Sequence, residues 1–186
     1  MKRTLDLVLS LVATLIFLVP ALVVALLVRV TSSGPVLYWS DRVGRRNVLF
    51  RMPKFRTMLV DTPAVATHLL DNPSMYLTPV GGFLRRTSLD ELPQLWSILA
   101  GDMSVVGPRP ALFNQYDLIA ARSAAGVDAL VPGLTGWAQV NGRDELSIPE
   151  KVRLDAEYAR HQSLRFDMRI IALTGISAIT GRGVSH

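Results

Sequence analysis

From Leu7 to Val28 the chain runs 22 residues without a charge, and only Ser10 and Thr14 interrupt its apolar character. At about 1.5 Å per residue, a helix over this run is roughly 33 Å long, enough to cross a hydrocarbon core of about 30 Å. The run exceeds the apolar stretch of a cleaved signal, and no small-x-small site closes it, so it reads as a retained membrane segment. Lys2 and Arg3 precede it and Arg29 follows it, so the positive-inside rule assigns no orientation. Pro20 lies past the middle of the run. A proline inside a helix removes one backbone hydrogen bond and bends the axis. Such a bend returns the chain to the face it entered, whereas an ordinary kinked single-pass helix accommodates the same residue.

The membrane segment, residues 1–30, leaves residues 31–186 for one domain with a core of its own. The absence of cysteine excludes disulfides, thiolate metal sites and cysteine nucleophiles. His68, His161 and His186 are too scattered to form a histidine metal cluster. The formal charge is +5 with a pI near 10.1, and 17 of the 20 basic residues are arginine, the better bidentate partner for phosphate. Residues 29–60 carry Arg29, Arg42, Arg45, Arg46, Arg51, Lys54 and Arg56 against the single acid Asp41. Beside a membrane segment such a stretch is drawn to anionic lipid, at about 1 kcal/mol per charge near the surface. A solvated basic loop or a nucleic-acid patch is the alternative, but the interleaved aromatics of a single-strand groove are missing.

Local patterns predict a mostly helical α+β chain: an N-terminal membrane helix, a short β-hairpin and amphipathic helices. Thr31-Ser32-Ser33-Gly34-Pro35 breaks the first helix. Val36–Trp39 and Val48–Met52 read as the strands of a hairpin about the turn Asp41–Arg46. Phe55–Leu70 is expected as a helix weakened by Pro63, with breaks at Asp71-Asn72-Pro73 and Pro79-Val80-Gly81-Gly82. Ser88-Leu89-Asp90-Glu91 matches a capping box opening a helix with Leu92, Leu95, Ile98 and Leu99 on its apolar face. Gly101–Pro110 is expected as a rigid loop around a short apolar run, Leu112–Ala125 as helix, and residues 132–143 as a glycine-punctuated stretch with one strand-like run. Ser147 and Glu150 should cap a helix over Pro149–Gln162, and a last apolar helix spans Asp167–Thr180.

Chemistry concentrates at Asp90-Glu91, set among Arg85, Arg86 and Arg109. A carboxylate can be a nucleophile that forms an acyl phosphate. A neighbouring carboxylate can hold magnesium, which leaves positions for substrate phosphates and water. Arg85, Arg109 and Lys54 can neutralise charge developing on phosphoryl oxygens. The plain alternative for Glu91 is a helix cap. In either case a nearby helix N-terminus favours ionised carboxylates. No glycine-rich loop matches the P-loop or dinucleotide patterns.

The motifs Gly34-Pro35-Val36, Asp41-Arg42-Val43-Gly44, Lys54-Phe55-Arg56-Thr57-Met58, Arg85–Gln94, Met103–Pro110 and Pro132–Arg143 resemble, in order, those of the bacterial sugar transferases. These are monotopic phosphoglycosyl transferases, and this chain is similar to the small members with only the catalytic domain. The resemblance implies transfer of a phosphosugar from a nucleotide diphosphate sugar, usually a UDP-sugar, to undecaprenyl phosphate. It also implies a ping-pong mechanism with a phosphosugar-aspartyl intermediate on Asp90 and a Mg²⁺ site at Asp90 and Glu91. It assigns Lys54, Arg85 and Arg109 to the phosphates, Arg143 to the nucleotide, and a late site carboxylate to Asp167, for which a helix N-cap is the alternative. It places the first helix as re-entrant, broken at Pro20, with the catalytic domain on the cytoplasmic face of the inner membrane. The family's Ser-Pro pair is Val19-Pro20 here, and Asn47 stands where glycine is common, a position asparagine tolerates. Two further classes fit the residues: a membrane-bound hydrolase or phosphatase using the same pair with water, and a non-enzymatic basic binding module on a membrane anchor. No nucleic-acid partner is expected, and nothing in the motifs fixes an oligomeric state.

Overall fold

A computed structural model describes residues 1–63, 72–142 and 145–180. The chain is mostly helical, with an N-terminal apolar helix, a short antiparallel hairpin and further helices.

Helix α1, Lys2–Thr31, is long and apolar enough to cross a membrane, with mean hydropathy 3.0 over its best window. Its hydroxyls bond inward, as in Thr14 Oγ1 to the Ser10 carbonyl at 2.7 Å, so the apolar surface is not broken by an unpaired donor. Pro20 lies within the continuous helix, so the break expected at this position is not present, because the turns on either side of the proline keep helical geometry. Burial along α1 is bimodal: Asp6 and Ser10 are buried near one end, Val24 and Val28 near the other, and residues 11–20 include no buried position. Both ends therefore pack on the remainder of the protein while the stretch containing Pro20 stands off it.

Polar side chains dock the first end. Asp6 Oδ1 accepts from Ser104 Oγ and the Val105 N–H, both at 3.0 Å. Arg3 donates to the Ile98 and Leu99 carbonyls, a cation at a helix C-terminus. Apolar packing docks the second end: Val24 and Val28 form a core with Phe55 and Leu84.

Strands β1, Leu37–Val43, and β2, Leu49–Phe55, form the expected hairpin, with Tyr38 opposite Lys54 and Trp39 opposite Pro53. Alternation gives it two faces. Leu37, Trp39, Arg51, Pro53 and Phe55 share the face that meets α1. Tyr38, Ser40, Arg42, Met52 and Lys54 share the other. At the turn, Arg46 and Asn47 adopt left-handed φ of 55° and 59°, the conformation anticipated for Asn47.

No helix forms over residues 56–63, contrary to the expectation for Phe55–Leu70; residues 64–71 lie outside the described range. Phe55 ends β2, and the backbone beyond it is committed elsewhere. Arg56 N–H donates to the Val36 carbonyl at 2.9 Å, Leu59 N–H to Tyr76 at 2.8 Å, and Thr57 O accepts from Thr78 at 2.9 Å.

The capping box expected at Ser88 is also absent. Ser88 has φ of 55° and no side-chain cap bond, Leu89–Glu91 is a 3-10 turn, and helix α3 spans only Gln94–Ala100 after helix α2, Gly81–Arg86. Pro93 stands at the N-cap of α3, where its missing N–H costs nothing.

Strand β3, Ser104–Val106, pairs in parallel with β4, Gly133–Thr135. Gly107 lets the two segments meet: a Cβ there would lie 2.4 Å from the Val131 carbonyl oxygen. Helix α4 covers Tyr116–Ala124 and α5 Trp137–Val140. Helix α6, Ile148–His161, carries the predicted capping box, with both the Ser147 and Glu150 bonds made. Helix α7 spans Leu164–Thr180, and its Ile170 meets Tyr158 of α6 and Val106 of β3 in a second core.

Candidate functional site

Three separate stretches converge on Glu91. Lys54 projects from the site face of β2, Glu91 from the 3-10 turn, and Arg109 from the loop after β3. Lys54 Nζ lies 2.9 Å and Arg109 Nη2 2.7 Å from the same oxygen, Glu91 Oε1. The Glu91 side chain is only 12% exposed. One carboxylate thus fixes two cations from elements far apart in sequence.

Asp90 is buried beside this ion triad, within the electrostatic reach of Lys54, Glu91, Arg85 and Arg109. Arg85, in the last turn of α2, directs Nη2 toward Met58 Sδ at 3.7 Å.

The neighbouring carboxylates are driven in opposite directions. Burial raises the Asp90 carboxyl above its ordinary value; Glu91 adds to this, and Lys54, Arg85 and Arg109 oppose it. Burial also favours neutral Glu91, but the charges and hydrogen bonds of Arg109 and Lys54 overcome it and hold Glu91 well below the usual range. Burial lowers Lys54, with Arg109 and Arg42 adding to the effect against Glu91 and Asp90. The expectation that a helix N-terminus simply keeps both acids ionised is therefore incomplete. Local burial and cations set the balance, and α3 starts three residues beyond Glu91.

Arg42 belongs to this electrostatic group and was not among the predicted site residues. It donates to Ser40 Oγ at 3.0 Å and to the Pro110 carbonyl at 3.2 Å, next to Arg109. Strand alternation was the available signal, since Arg42 shares the face of Lys54.

Asp167 is held elsewhere. It is 1% exposed in the first turn of α7, 2.8 Å from Lys2 Nζ, and accepts from Tyr158 Oη at 2.7 Å. It is not the N-cap, since Ser163 Oγ takes the Phe166 N–H at 3.2 Å. Its partners tie α7 to the start of α1. Arg143 lies outside the described residues.

Among the described residues no group of three His, Cys, Asp or Glu side chains gathers for a metal. The Asp90–Glu91 pair is the oxygen donor set available at this site. It suits a hard cation completed by substrate phosphates and water. Together, a buried carboxylate and an adjoining set of fixed cations can receive a phosphoryl group.

This chain belongs to the bacterial sugar transferase family, whose profile matches residues 1–181. It is 41% identical over 184 residues to the UDP-glucose:undecaprenyl-phosphate glucose-1-phosphate transferase of Escherichia coli (strain K12), covering 94% of this chain and 39% of that protein. It is 36% identical over 193 residues to the undecaprenyl-phosphate galactose phosphotransferase of Salmonella typhimurium, covering 94% of this chain and 39% of that protein. The exopolysaccharide production protein ExoY of Rhizobium meliloti is 34% identical over 197 residues, covering 98% of this chain and 87% of that protein. The chain thus spans about two fifths of the first two relatives and most of the third.

Proposed function

We propose that this protein transfers a phosphosugar from a nucleotide diphosphate sugar, specifically a UDP-sugar, to undecaprenyl phosphate. The observation that carries this reading is the buried Asp90 beside Glu91, whose Oε1 fixes Lys54 and Arg109 at 2.9 and 2.7 Å. Membership of the sugar transferase family, and relatives named as undecaprenyl-phosphate sugar phosphotransferases, support the substrate classes.

The mechanism is ping-pong. An Asp90 oxygen attacks the phosphorus next to the sugar. The bond from that phosphorus to the bridging oxygen breaks, and the nucleoside monophosphate leaves with the bonding pair. Lys54, Arg85 and Arg109 neutralise the oxygens as charge shifts onto them. A phosphate oxygen of undecaprenyl phosphate then attacks the same phosphorus, and the Asp90 carboxylate is regenerated. Each half-reaction replaces one phosphorus–oxygen bond by another. Asp90 and Glu91 would hold Mg²⁺, which when bound supplies charge neutralisation on the substrate phosphates. Glu91 also keeps two cations in place before substrate arrives, so they need little reorganisation.

Residues 1–30 serve as the membrane-embedded unit and residues 31–186 as the catalytic unit at the cytoplasmic face of the inner membrane. The docking of both ends of α1 on one body supports a re-entrant path, since an exposed middle containing Pro20 can dip into lipid while both ends remain on one side. Of the basic stretch, the exposed Arg29, Arg45, Arg46 and Arg51 would hold the catalytic unit to anionic lipid, whereas Arg42, Lys54 and Arg56 are committed within the protein.

Nucleoside monophosphate release without acceptor tests the reading. A transferase with a covalent intermediate releases one equivalent per site and stops until undecaprenyl phosphate is added. Continued turnover without acceptor would identify a hydrolase. Release that persists undiminished in Asp90→Asn would refute the assigned nucleophile.

A further inference from the structure

The hairpin face turned away from Lys54 carries a second surface. Leu37, Trp39 and Pro53 on the hairpin meet Pro93 and Trp96 of α3 and its N-cap around an open groove of about 330 Å³. All five side chains are predominantly apolar. Trp39 is 41% and Trp96 65% exposed, so two large indoles stand at the surface of this groove. Neither the ion triad nor the proposed chemistry uses them.

Three observations identify what covers this face. First, it continues the surface of α1: Leu37 packs against the core formed by Val24, Val28, Phe55 and Leu84, and Leu22, Val23, Leu26 and Val30 of the same helix half are exposed. Second, indoles with an apolar ring and a polar N–H are suited to the boundary between hydrocarbon and head groups. Third, the Arg51 guanidinium lies 5.4 Å from the Trp39 ring centroid, which sets a cation beside the indole, complementary to lipid phosphate. A bilayer supplies hydrocarbon, an interfacial layer and anionic phosphate in that order.

We propose that the groove face of the hairpin and α3 is a second membrane contact, in which Trp39 and Trp96 anchor in the interfacial layer of a lipid bilayer, lipid chains fill the groove, and Arg51 meets head-group phosphate. The inference rests on the membrane reading of α1 and adds an orientation to it. The hairpin lies against the bilayer on its Trp39 face, beside the docked end of α1.

Depth-dependent fluorescence quenching tests this on the full chain. The protein is reconstituted into phosphatidylcholine–phosphatidylglycerol vesicles with or without chain-brominated lipid. Two further proteins retain Trp96 alone (Trp39→Phe with Trp137→Phe) or Trp39 alone (Trp96→Phe with Trp137→Phe). A control retains Trp137 alone (Trp39→Phe with Trp96→Phe); this residue packs edge-on to Phe166 at 5.0 Å and beneath the Arg169 guanidinium. Trp39 and Trp96 are expected to lose emission to brominated lipid and to be shielded from aqueous acrylamide, whereas Trp137 is insensitive to the brominated chains. The unsubstituted protein, with two of its three tryptophans on this face, should lose most of its emission, a readout that needs no variant. Vesicle-bound protein whose Trp39 and Trp96 are quenched by acrylamide but not by brominated lipid overturns the proposal while leaving α1 as the anchor. Shielding from both quenchers in a dimeric protein would assign the face to a second copy and also overturn it. Failure of the protein to co-sediment with vesicles refutes the membrane reading of α1 and this proposal together.

Discussion

Replacing Glu91 with Gln probes the ion triad most selectively, because glutamine preserves the shape and one carbonyl acceptor while removing the charge. Lys54 and Arg109 then face each other without the carboxylate that holds both, and their side chains are 15% and 31% exposed. Removing one partner of a buried ion pair costs about 3–5 kcal/mol. The partial exposure of Arg109 screens its share, which places the cost at pH 7 near 3 kcal/mol. For a chain of this size that corresponds to a fall of roughly 10 °C in Tm. Thermal unfolding in detergent, followed by circular dichroism, measures it. The pH dependence supplies an internal check. The Glu91 carboxyl is held well below its ordinary value, so its stabilisation is fully present above the ordinary carboxyl range. It is lost as pH falls through the lowered value, where the wild type and Glu91→Gln should converge. On the alkaline side Lys54, already lowered by burial, sheds its proton more readily without Glu91, so the deficit should shrink as pH rises. A Glu91→Gln protein that melts within about 2 °C of wild type at pH 7 refutes the triad as a structural unit.

Burial raises Asp90 and Lys54 opposes that rise, so Lys54→Met should move the acid limb of the pH–rate profile for nucleoside monophosphate release to higher pH; a limb that stays in place contradicts the coupling. Gly107→Ala should destabilise by about 2–3 kcal/mol and reduce that release, because the new methyl meets backbone of Val131 and Gly133 beside the Arg109 loop; unfolding and single-turnover assays check both effects. Ser147→Ala, which removes the cap of α6, should cost about 1 kcal/mol in chemical denaturation and leave turnover per folded molecule unchanged.

The hairpin was legible because alternation and turn residues are local signals, and so was the α6 cap, where a serine and a glutamate three residues apart bond each other. Membership of the family was legible from ordered motifs. The absent helix after Phe55 was not, because its backbone groups are claimed by Tyr76 and Thr78, partners no local pattern announces. Ser88 misled for a related reason: a left-handed backbone at φ 55° turns its hydroxyl out of the cap role and puts Asp90 and Glu91 in a 3-10 turn. Lys54 and Arg109 were recognised as candidate phosphate contacts, but their meeting on one Glu91 oxygen depends on the hairpin and the β3–β4 pairing together. Asp167 stood out in the sequence as a late carboxylate, and its partners Lys2 and Tyr158 explain its burial in terms of docking α1.

The central claim is that Asp90 accepts the phosphosugar. Intact-protein and peptide mass spectrometry after incubation with UDP-sugar and Mg²⁺, without acceptor, tests it directly across a panel of sugars. The account predicts one added phosphosugar per chain on the peptide containing Asp90, absent from Asp90→Asn and discharged by undecaprenyl phosphate. Nucleoside monophosphate release with no adduct, or an adduct on another residue, would contradict it.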